Sequence, residues 1–175
     1  LQARMKEAGI QKAVLTDESS MAYLAGFWGY LGIEFGRPSM LVVDADDAPI
    51  VITPLMESEM VGEMTWVEDV RVWEDIGQRT WGRALAGALG DNPPEIWIEK
   101  GSVPAIVRNH LDETYPGVAL KDISPILGAM RTIKTPFEIS VMKEAGQIAG
   151  AMMAAAHDSL REGGREFESA LAVID

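Results

Sequence analysis

The segment Met130–Gly164, MRTIKTPFEISVMKEAGQIAGAMMAAAHDSLREGG, decides how the chain is organised. Its front carries three helix-start signals: Thr135 as the cap, Pro136 at the first helical position and Glu138 completing a T-x-x-E capping box. Apolar and small residues then recur at steps of three or four, which predicts a helix of about 27 residues, roughly 40 Å long. The glycine pair at 163–164 predicts its end.

A helix with such a narrow stripe of small residues cannot bury itself, and it needs a large partner surface. The residues after Gly164, REFESALAVID, open a second helical pattern that has no stop signal. We therefore expect a front domain over 1–133 and, over 134–175, a connector with the first helices of a second, truncated domain. The start, LQARMKEAG, has a helical pattern and no initiator Met, so we also expect residues before Leu1.

The remaining sequence alternates short apolar runs with amphipathic helical segments and predicts an α/β domain. About six strands and about five helices give a mixed sheet, with one hairpin supplying antiparallel pairs. The predicted strands are Ala13–Leu15, Met40–Asp44, Pro49–Thr53, Asp69–Trp73, Glu95–Glu99 and Val118–Ile123.

The charge, the apolar runs and the cysteine content of the sequence argue against several classes of function. The formal net charge is −12, which argues against a nucleic-acid partner, because no basic residues cluster along any predicted face. No apolar run approaches the roughly 18–20 residues that span a membrane, and the start lacks the apolar core of a signal peptide. The absence of cysteine excludes disulfides and thiolate metal sites and is compatible with the cytoplasm, where we expect the protein.

The sequence offers no self-contained catalytic site. Its two histidines, His110 and His157, have no partner at the spacing of a metal pair, and a surface or packed role is expected for both. The nucleophile elbow, the P-loop and the dinucleotide glycine fingerprint are all missing. We therefore expect no catalytic residue, no metal ligand and no cofactor within this chain.

One loop, Gly26–Pro38, resists a purely structural interpretation because it is rich in aromatic residues. Trp28, Tyr30, Phe35 and Arg37 allow three interpretations. The aromatic rings fold back on the sheet, or they form an oligomer contact, where Trp, Tyr and Arg are enriched. Alternatively, Arg37 offers a planar fork to a substrate carboxylate beside an aromatic wall. The sequence alone leaves all three open.

Four stretches resemble the creatinase/prolidase N-terminal domain in order and spacing, and the resemblance covers nearly the whole chain. The most specific of them contains the R-[ST]-I-K-[ST]-x-x-E joint. The four stretches are YLAGF (Tyr23–Phe27), FGRPSMLVVD (Phe35–Asp44), YPGVALKDIS (Tyr115–Ser124) and MRTIKTPFEISVMKEAGQIA (Met130–Ala149).

The resemblance implies a ribonuclease H-like α/β fold that precedes a "pita-bread" catalytic domain. In peptidases of the family that domain binds two divalent metal ions through Asp, Asp, His, Glu and Glu, whereas creatinase works without metal. None of these ligand motifs is in this sequence. In creatinase the Phe and Arg of F-G-R reach the active site of the neighbouring subunit. This implies substrate contacts in trans for Phe35 and Arg37, and for Trp28 and Tyr30 of the same loop, in a homodimer.

Three functions remain open at this point. The resemblance implies the non-catalytic front domain of an Xaa-Pro dipeptidase or aminopeptidase acting on small peptides. The alternatives are the front domain of a creatinase-like, metal-independent amidinohydrolase acting on a small molecule, and a non-enzymatic dimerisation or binding module. The Arg37-Pro38 pair is common among Xaa-Pro peptidases, whereas creatinase continues differently after its F-G-R.

Overall fold

The computed structural model of the chain describes residues 1–29, 31, 36–74 and 80–174. These residues form two compact units, Leu1–Met130 and Arg131–Asp175. The first contains a sheet with helices on both faces, and the second is helical. The predicted loop residues Tyr30 and Phe35 lie outside the described residues.

The sheet of the first unit has six strands in the order β4-β3-β2-β1-β5-β6. The hairpin strands β2 and β3 pair antiparallel, with Leu41 opposite Val51, as the turn between them predicts. The strands are β1 (Lys12–Leu15), β2 (Met40–Asp44), β3 (Ile50–Pro54), β4 (Asp69–Trp73), β5 (Glu95–Ile98) and β6 (Ala119–Asp122).

Strand β2 runs against both of its neighbours, while the pairs β1–β5, β5–β6 and β3–β4 are parallel. The carboxyl ends of the other five strands therefore meet at one edge of the sheet, beside the first residue of β2. The predicted class, α/β with a mixed sheet of about six strands flanked by helices, is confirmed.

One helix precedes the first strand, and the others lie between or after the strands. A 3-10 turn, Leu55–Glu57, precedes one of them. The helices are α1 (Gln2–Glu7), α2 (Glu18–Ala25), α3 (Ser58–Met64), α4 (Thr80–Leu89), α5 (Ala105–Thr114), α6 (Ser124–Thr132), α7 (Pro136–Ser159) and α8 (Glu166–Ile174).

Two apolar cores hold the sheet, one on each face. The first core joins α1, α2, α3 and α6 to the sheet, with Leu15 and Met21 among its fully buried residues. The second joins α4 and α5, with Val14 and Leu85 at its centre. Neighbouring residues of β1 thus point into different cores, which explains why the strand is continuously apolar instead of alternating.

Helix α7 begins as the sequence predicts. The Thr135 hydroxyl accepts from the Glu138 backbone N–H at 3.2 Å, and the Glu138 carboxylate accepts from the Thr135 N–H at 2.6 Å. Pro136 occupies the first helical position, where a missing N–H costs no hydrogen bond. The long C-terminal helix is thereby confirmed.

The predicted end of this helix is wrong, because α7 stops at Ser159 after 24 residues. Leu160 turns to an extended conformation, and its N–H bonds the carbonyl of His157 instead of continuing the helix. The Ser159 hydroxyl donates to the Ala156 carbonyl at 2.7 Å, and it lies within hydrogen-bond distance, 2.8 Å, of the Ser169 hydroxyl of α8. A serine side chain that hydrogen-bonds a carbonyl of the last helical turn competes with the backbone hydrogen bonds that would continue the helix.

Candidate functional site

The aromatic loop leaves helix α2 through Gly26, which takes a left-handed conformation at a φ of 76°. The next residue, Phe27, is completely buried in the first core and anchors the loop. Trp28 turns the other way, so that 54% of its surface is exposed. Its ring therefore does not fold back into the core, and it is available to a ligand or to another chain.

Arg37 lies on the returning arm of the loop, and its backbone is fixed on both sides. The Arg37 N–H donates to the Leu31 carbonyl at 3.2 Å, and the Pro38 carbonyl accepts from the Trp73 indole N–H at 3.1 Å. The guanidinium Nη1 lies 3.0 Å from the Met56 sulfur. Arg37 is thus partly exposed on an anchored segment, next to an apolar side chain.

A buried carboxylate that sequence reasoning missed holds the base of this loop. Glu57 is only 1% exposed. Its Oε1 accepts from the Leu31 N–H at 3.2 Å, and its Oε2 accepts from the hydroxyls of Ser39 and Thr53 at 2.9 and 3.3 Å. The side chain therefore joins both arms of the loop to β3. A Cβ at Gly29 would lie 2.8 Å from the Phe27 ring and 3.1 Å from Oε1, so only a glycine suits this close approach.

A second buried carboxylate, Glu99, stands directly after β5 and was also missed. Its Oε2 accepts from the backbone N–H groups of Thr16 and Asp17, both at 3.1 Å. Its Oε1 accepts from the Ser20 hydroxyl at 2.5 Å. Glu99 consequently ties the end of β5 to the turn between β1 and α2, and it fixes the start of that helix.

Between these two anchors the sheet edge opens into a crevice of about 360 Å³. It is lined by residues 16–19 after β1, by Trp28 of the aromatic loop, by Ser39 directly after that loop, and by Ser102 after β5. The helix that follows β1 packs in the first core and the helix that follows β5 packs in the second. The crevice therefore lies at a switch point of the sheet, the place where open α/β sheets bind ligands.

The histidines occupy the structural positions expected for them. His110 packs edge-on against Trp81, with ring centroids 4.9 Å apart, and one ring nitrogen lies 3.3 Å from the Gly82 carbonyl. His157 is exposed beside Asp158. Among the residues that the structure describes, no three His, Asp or Glu side chains form a group able to hold a metal ion.

Over the described ranges, no helix has the length and apolarity needed to cross a membrane. The model of the Creatinase/Prolidase N-terminal domain family matches residues 1–133, which include the sheet, the aromatic loop and the crevice.

Curated proteins and solved structures show similar relatives. A protein of Sinorhizobium fredii (strain NBRC 101917 / NGR234), "Uncharacterized hydrolase/peptidase y4tM", is 27% identical over 183 residues, which cover 97% of this chain and 46% of that protein. The creatinase of Bacillus sp. (strain B-0618) is 25% identical over 174 residues, covering 98% of this chain and 41% of the creatinase.

The crystal structure of the prolidase from Pyrococcus horikoshii OT3 has the same fold, with a TM-score of 0.74 at 20% identity. The alignment covers 98% of this chain and 45% of the prolidase chain. The chain thus spans less than half the length of these three relatives.

Proposed function

Since the chain belongs to the creatinase/prolidase N-terminal domain family, we propose that it is the non-catalytic front domain of a hydrolase of the Xaa-Pro dipeptidase and aminopeptidase class. In this proposal the domain helps to form a homodimer and covers part of the active site, whose substrate is a small peptide. A cytoplasmic location is part of the proposal.

The observation that supports the proposal best is that Arg37 lies on an anchored segment with its side chain partly exposed. Its segment is fixed by Leu31, Trp73 and the Glu57 anchor, while the Arg37 side chain is partly exposed and the Trp28 ring is largely exposed. A guanidinium held in place forms a planar fork for a carboxylate with little loss of conformational freedom on binding. An anchored base with exposed functional groups is what a substrate-contacting loop requires.

The chemistry itself belongs to residues outside this chain in this proposal. The catalytic domains of peptidases in this family bind two divalent metal ions, but the described residues include no matching set of donors. The role proposed for Arg37 and Trp28 is to bind the substrate, orient it and keep water from the reacting bond, together with Tyr30 and Phe35.

The similarity to a creatinase supports a second candidate, the front domain of a metal-independent amidinohydrolase acting on a creatine-like molecule. Both candidates use Arg37 for a substrate carboxylate, so the arginine does not separate them. Turnover of an Xaa-Pro dipeptide or of creatine by the longer protein that carries this domain separates them directly. Turnover of neither substrate favours the third candidate, a dimerisation or binding module.

The decisive experiment replaces Arg37 by Lys and by Ala in that longer protein. We expect kcat/KM to fall in both variants by a factor that corresponds to about 2–5 kcal/mol of lost transition-state stabilisation. The lysine variant falls too because an ammonium group does not reproduce the planar fork of the guanidinium. Arg83, exposed on α4, gives the matched control, and Arg83→Ala should leave kcat/KM unchanged. Wild-type kinetics in both Arg37 variants would exclude the substrate contact, and a loss confined to the melting temperature would make Arg37 a structural residue.

Complementation tests whether Arg37 acts across the dimer. Subunits with Arg37→Ala are mixed with subunits inactivated in the catalytic domain, and the dimers are allowed to exchange. If Arg37 serves the partner's site, each mixed dimer contains one site with both an intact arginine and intact chemistry, so activity returns. Mixtures that stay inactive after exchange would contradict the contact in trans.

A further inference from the structure

Met56 is a methionine on the surface, and it lies on a turn whose position is fixed. It occupies the 3-10 turn Leu55–Glu57, directly after β3, and 69% of its surface is exposed. The next residue, Glu57, is buried and accepts from the hydroxyls of Ser39 and Thr53, so the turn is held to the sheet. Methionine side chains are usually buried, because the thioether is apolar and flexible. The Met56 side chain, in contrast, is open to small reagents in solution.

The second observation is the contact that the Met56 sulfur makes with Arg37. The guanidinium Nη1 lies 3.0 Å from the sulfur, so an N–H of the arginine donates to the thioether. A thioether sulfur is a weak acceptor, and a carboxylate is a much stronger one for a guanidinium. The backbone on both sides of Arg37 is hydrogen-bonded, to the Leu31 carbonyl and to the Trp73 indole, and the turn of Met56 is held by Glu57. Both segments are anchored, so the sulfur and the guanidinium stay within reach of each other.

Oxidation of the sulfur by hydrogen peroxide would change the strength of this contact. A lone pair of the sulfur attacks one peroxide oxygen, the S–O bond forms as the O–O bond breaks, and the other oxygen leaves as water after a proton transfer. The sulfur loses two electrons and the peroxide gains them. The product is methionine sulfoxide, a polar side chain. Its oxygen is a stronger acceptor than the thioether, and it holds a guanidinium through a charge-assisted hydrogen bond.

From this contact we propose that Met56 is an oxidative modification site that controls the availability of Arg37. In the oxidised protein the sulfoxide oxygen and a substrate carboxylate compete for the same N–H groups of the guanidinium. Binding of the carboxylate weakens, and a thiol-dependent methionine sulfoxide reductase restores it. The effect on substrate binding rests on the function proposed for Arg37, whereas the modification and the change in the contact do not.

Nuclear magnetic resonance of the 15N-labelled chain tests the contact without any measurement of activity. The guanidinium N–H signals of Arg37, recorded at low temperature, are assigned with the Arg37→Lys variant. Peptide mass spectrometry measures the fraction of Met56 that peroxide has converted to the sulfoxide. We expect oxidation to shift the Arg37 signals and to slow the exchange of the Nη protons with water about three- to tenfold, because their hydrogen bond is stronger. Exchange at the original rate with Met56 fully oxidised would overturn the proposal.

Two variants identify the sulfur that is responsible. Met56→Leu keeps an apolar side chain of similar volume and removes the sulfur, so peroxide should leave the Arg37 signals unchanged. Met64→Leu removes another exposed methionine, on α3, and should keep the full response to peroxide. Equal responses of Met56→Leu and the wild type would assign the effect to another residue and refute the proposal.

In the longer protein that carries this domain, the test is the separate response of KM and kcat. After peroxide treatment the KM for a dipeptide should rise about three- to tenfold while kcat changes by less than about twofold, because only substrate binding depends on Arg37. Methionine sulfoxide reductases for both sulfoxide epimers, with a thiol reductant, should restore KM. Met56→Leu should show no rise, which separates this site from oxidation of a metal or of other methionines. A rise of the same size in Met56→Leu would contradict control through Met56.

This proposal and the proposed function fail on different measurements. Unchanged exchange of the Arg37 protons after oxidation refutes the control by Met56 and leaves the substrate contact of Arg37 standing. Wild-type kinetics in the Arg37 variants refute that substrate contact, while slower exchange after oxidation still supports the sulfoxide contact.

Discussion

Replacing Glu99 by Ala should destabilise the first unit more than any surface change, because the side chain joins the end of β5 to the turn after β1 and the start of α2 through three hydrogen bonds. It is 5% exposed and accepts from the N–H groups of Thr16 and Asp17 and from the Ser20 hydroxyl. Alanine leaves all three donors without their acceptor. The turn between β1 and α2 then loses its side-chain connection to the end of β5, while the pairing of the two strands remains.

The expected loss in the free energy of unfolding follows from the three donors that lose their acceptor. A part-buried donor left unsatisfied costs about 1 kcal/mol at the low end of the usual range, so the sum is on the order of 3 kcal/mol. Glu99→Gln retains one carbonyl oxygen of the same shape, and we expect it to lose about half as much. The order of stability should therefore be Glu, Gln and Ala.

Urea unfolding at pH 7, followed by tryptophan fluorescence, measures this effect in the relevant unit. All five tryptophans lie within Leu1–Met130, so the signal reports that unit alone. With a urea dependence of 1–3 kcal/mol per molar, a loss of 3 kcal/mol lowers the midpoint by roughly 1–3 M. The control Glu63→Ala, exposed on α3, should stay within about 0.5 kcal/mol of the wild type.

Two results would refute the reasoning about Glu99. An alanine variant as stable as the Glu63 control would show that the three hydrogen bonds contribute nothing net. A glutamine variant as unstable as the alanine variant would show that the negative charge, and not the acceptor geometry, stabilises the turn.

Three further predictions concern stability. Gly82→Ala in α4 would normally stabilise a helix by about 0.5–1 kcal/mol, but its Cβ would lie 2.5 Å from the His110 ring. It should destabilise the wild type and stabilise the His110→Ala variant, as thermal unfolding of the double-mutant cycle will show. Burial of Asp44 favours its neutral form and raises its pKa. The Lys12 ammonium and the backbone N–H groups of Asp46 and Asp47 stabilise the carboxylate more strongly, so the pKa of Asp44 lies below its ordinary value. This contribution to stability is present above about pH 4 and lost as the pH falls further, so Asp44→Asn should reduce the acid destabilisation seen in urea titrations at pH 7 and pH 3. A chain ended after Ile133 should keep a cooperative fluorescence transition, and its loss would contradict the domain boundary at 133–134.

The sequence predicts the elements of this fold because their signals are local. Asp17 caps α2 by accepting from Ser20 three residues later, and the capping box of α7 spans Thr135 to Glu138. The strands are apolar runs because β1 and β2 lie between two cores. Such features depend on neighbours along the chain or on burial, and both can be read from residue types.

The anchors of the candidate site escaped prediction because their partners are distant in the sequence. Glu99 accepts from residues 79 to 83 positions before it, and Glu57 from Leu31, 26 positions before it. Each looks like an ordinary surface glutamate in its own segment. The one available signal is position, since Glu99 is the last residue of a predicted strand and Glu57 stands four positions after another, both at the carboxyl edge.

The position of β1 in the sheet also has a consequence for the synthesis of the protein. Strands β1 to β4 occupy the first part of the chain, but β5, the other neighbour of β1, begins only at Glu95. At 5–20 residues per second, the ribosome completes β5 roughly 1–5 s after β4. During this interval β1, a central strand of the finished sheet, is an open edge with unpaired N–H and carbonyl groups. We expect the nascent chain to be most prone to pairing with another copy of itself in these seconds, and chaperone binding to matter most there.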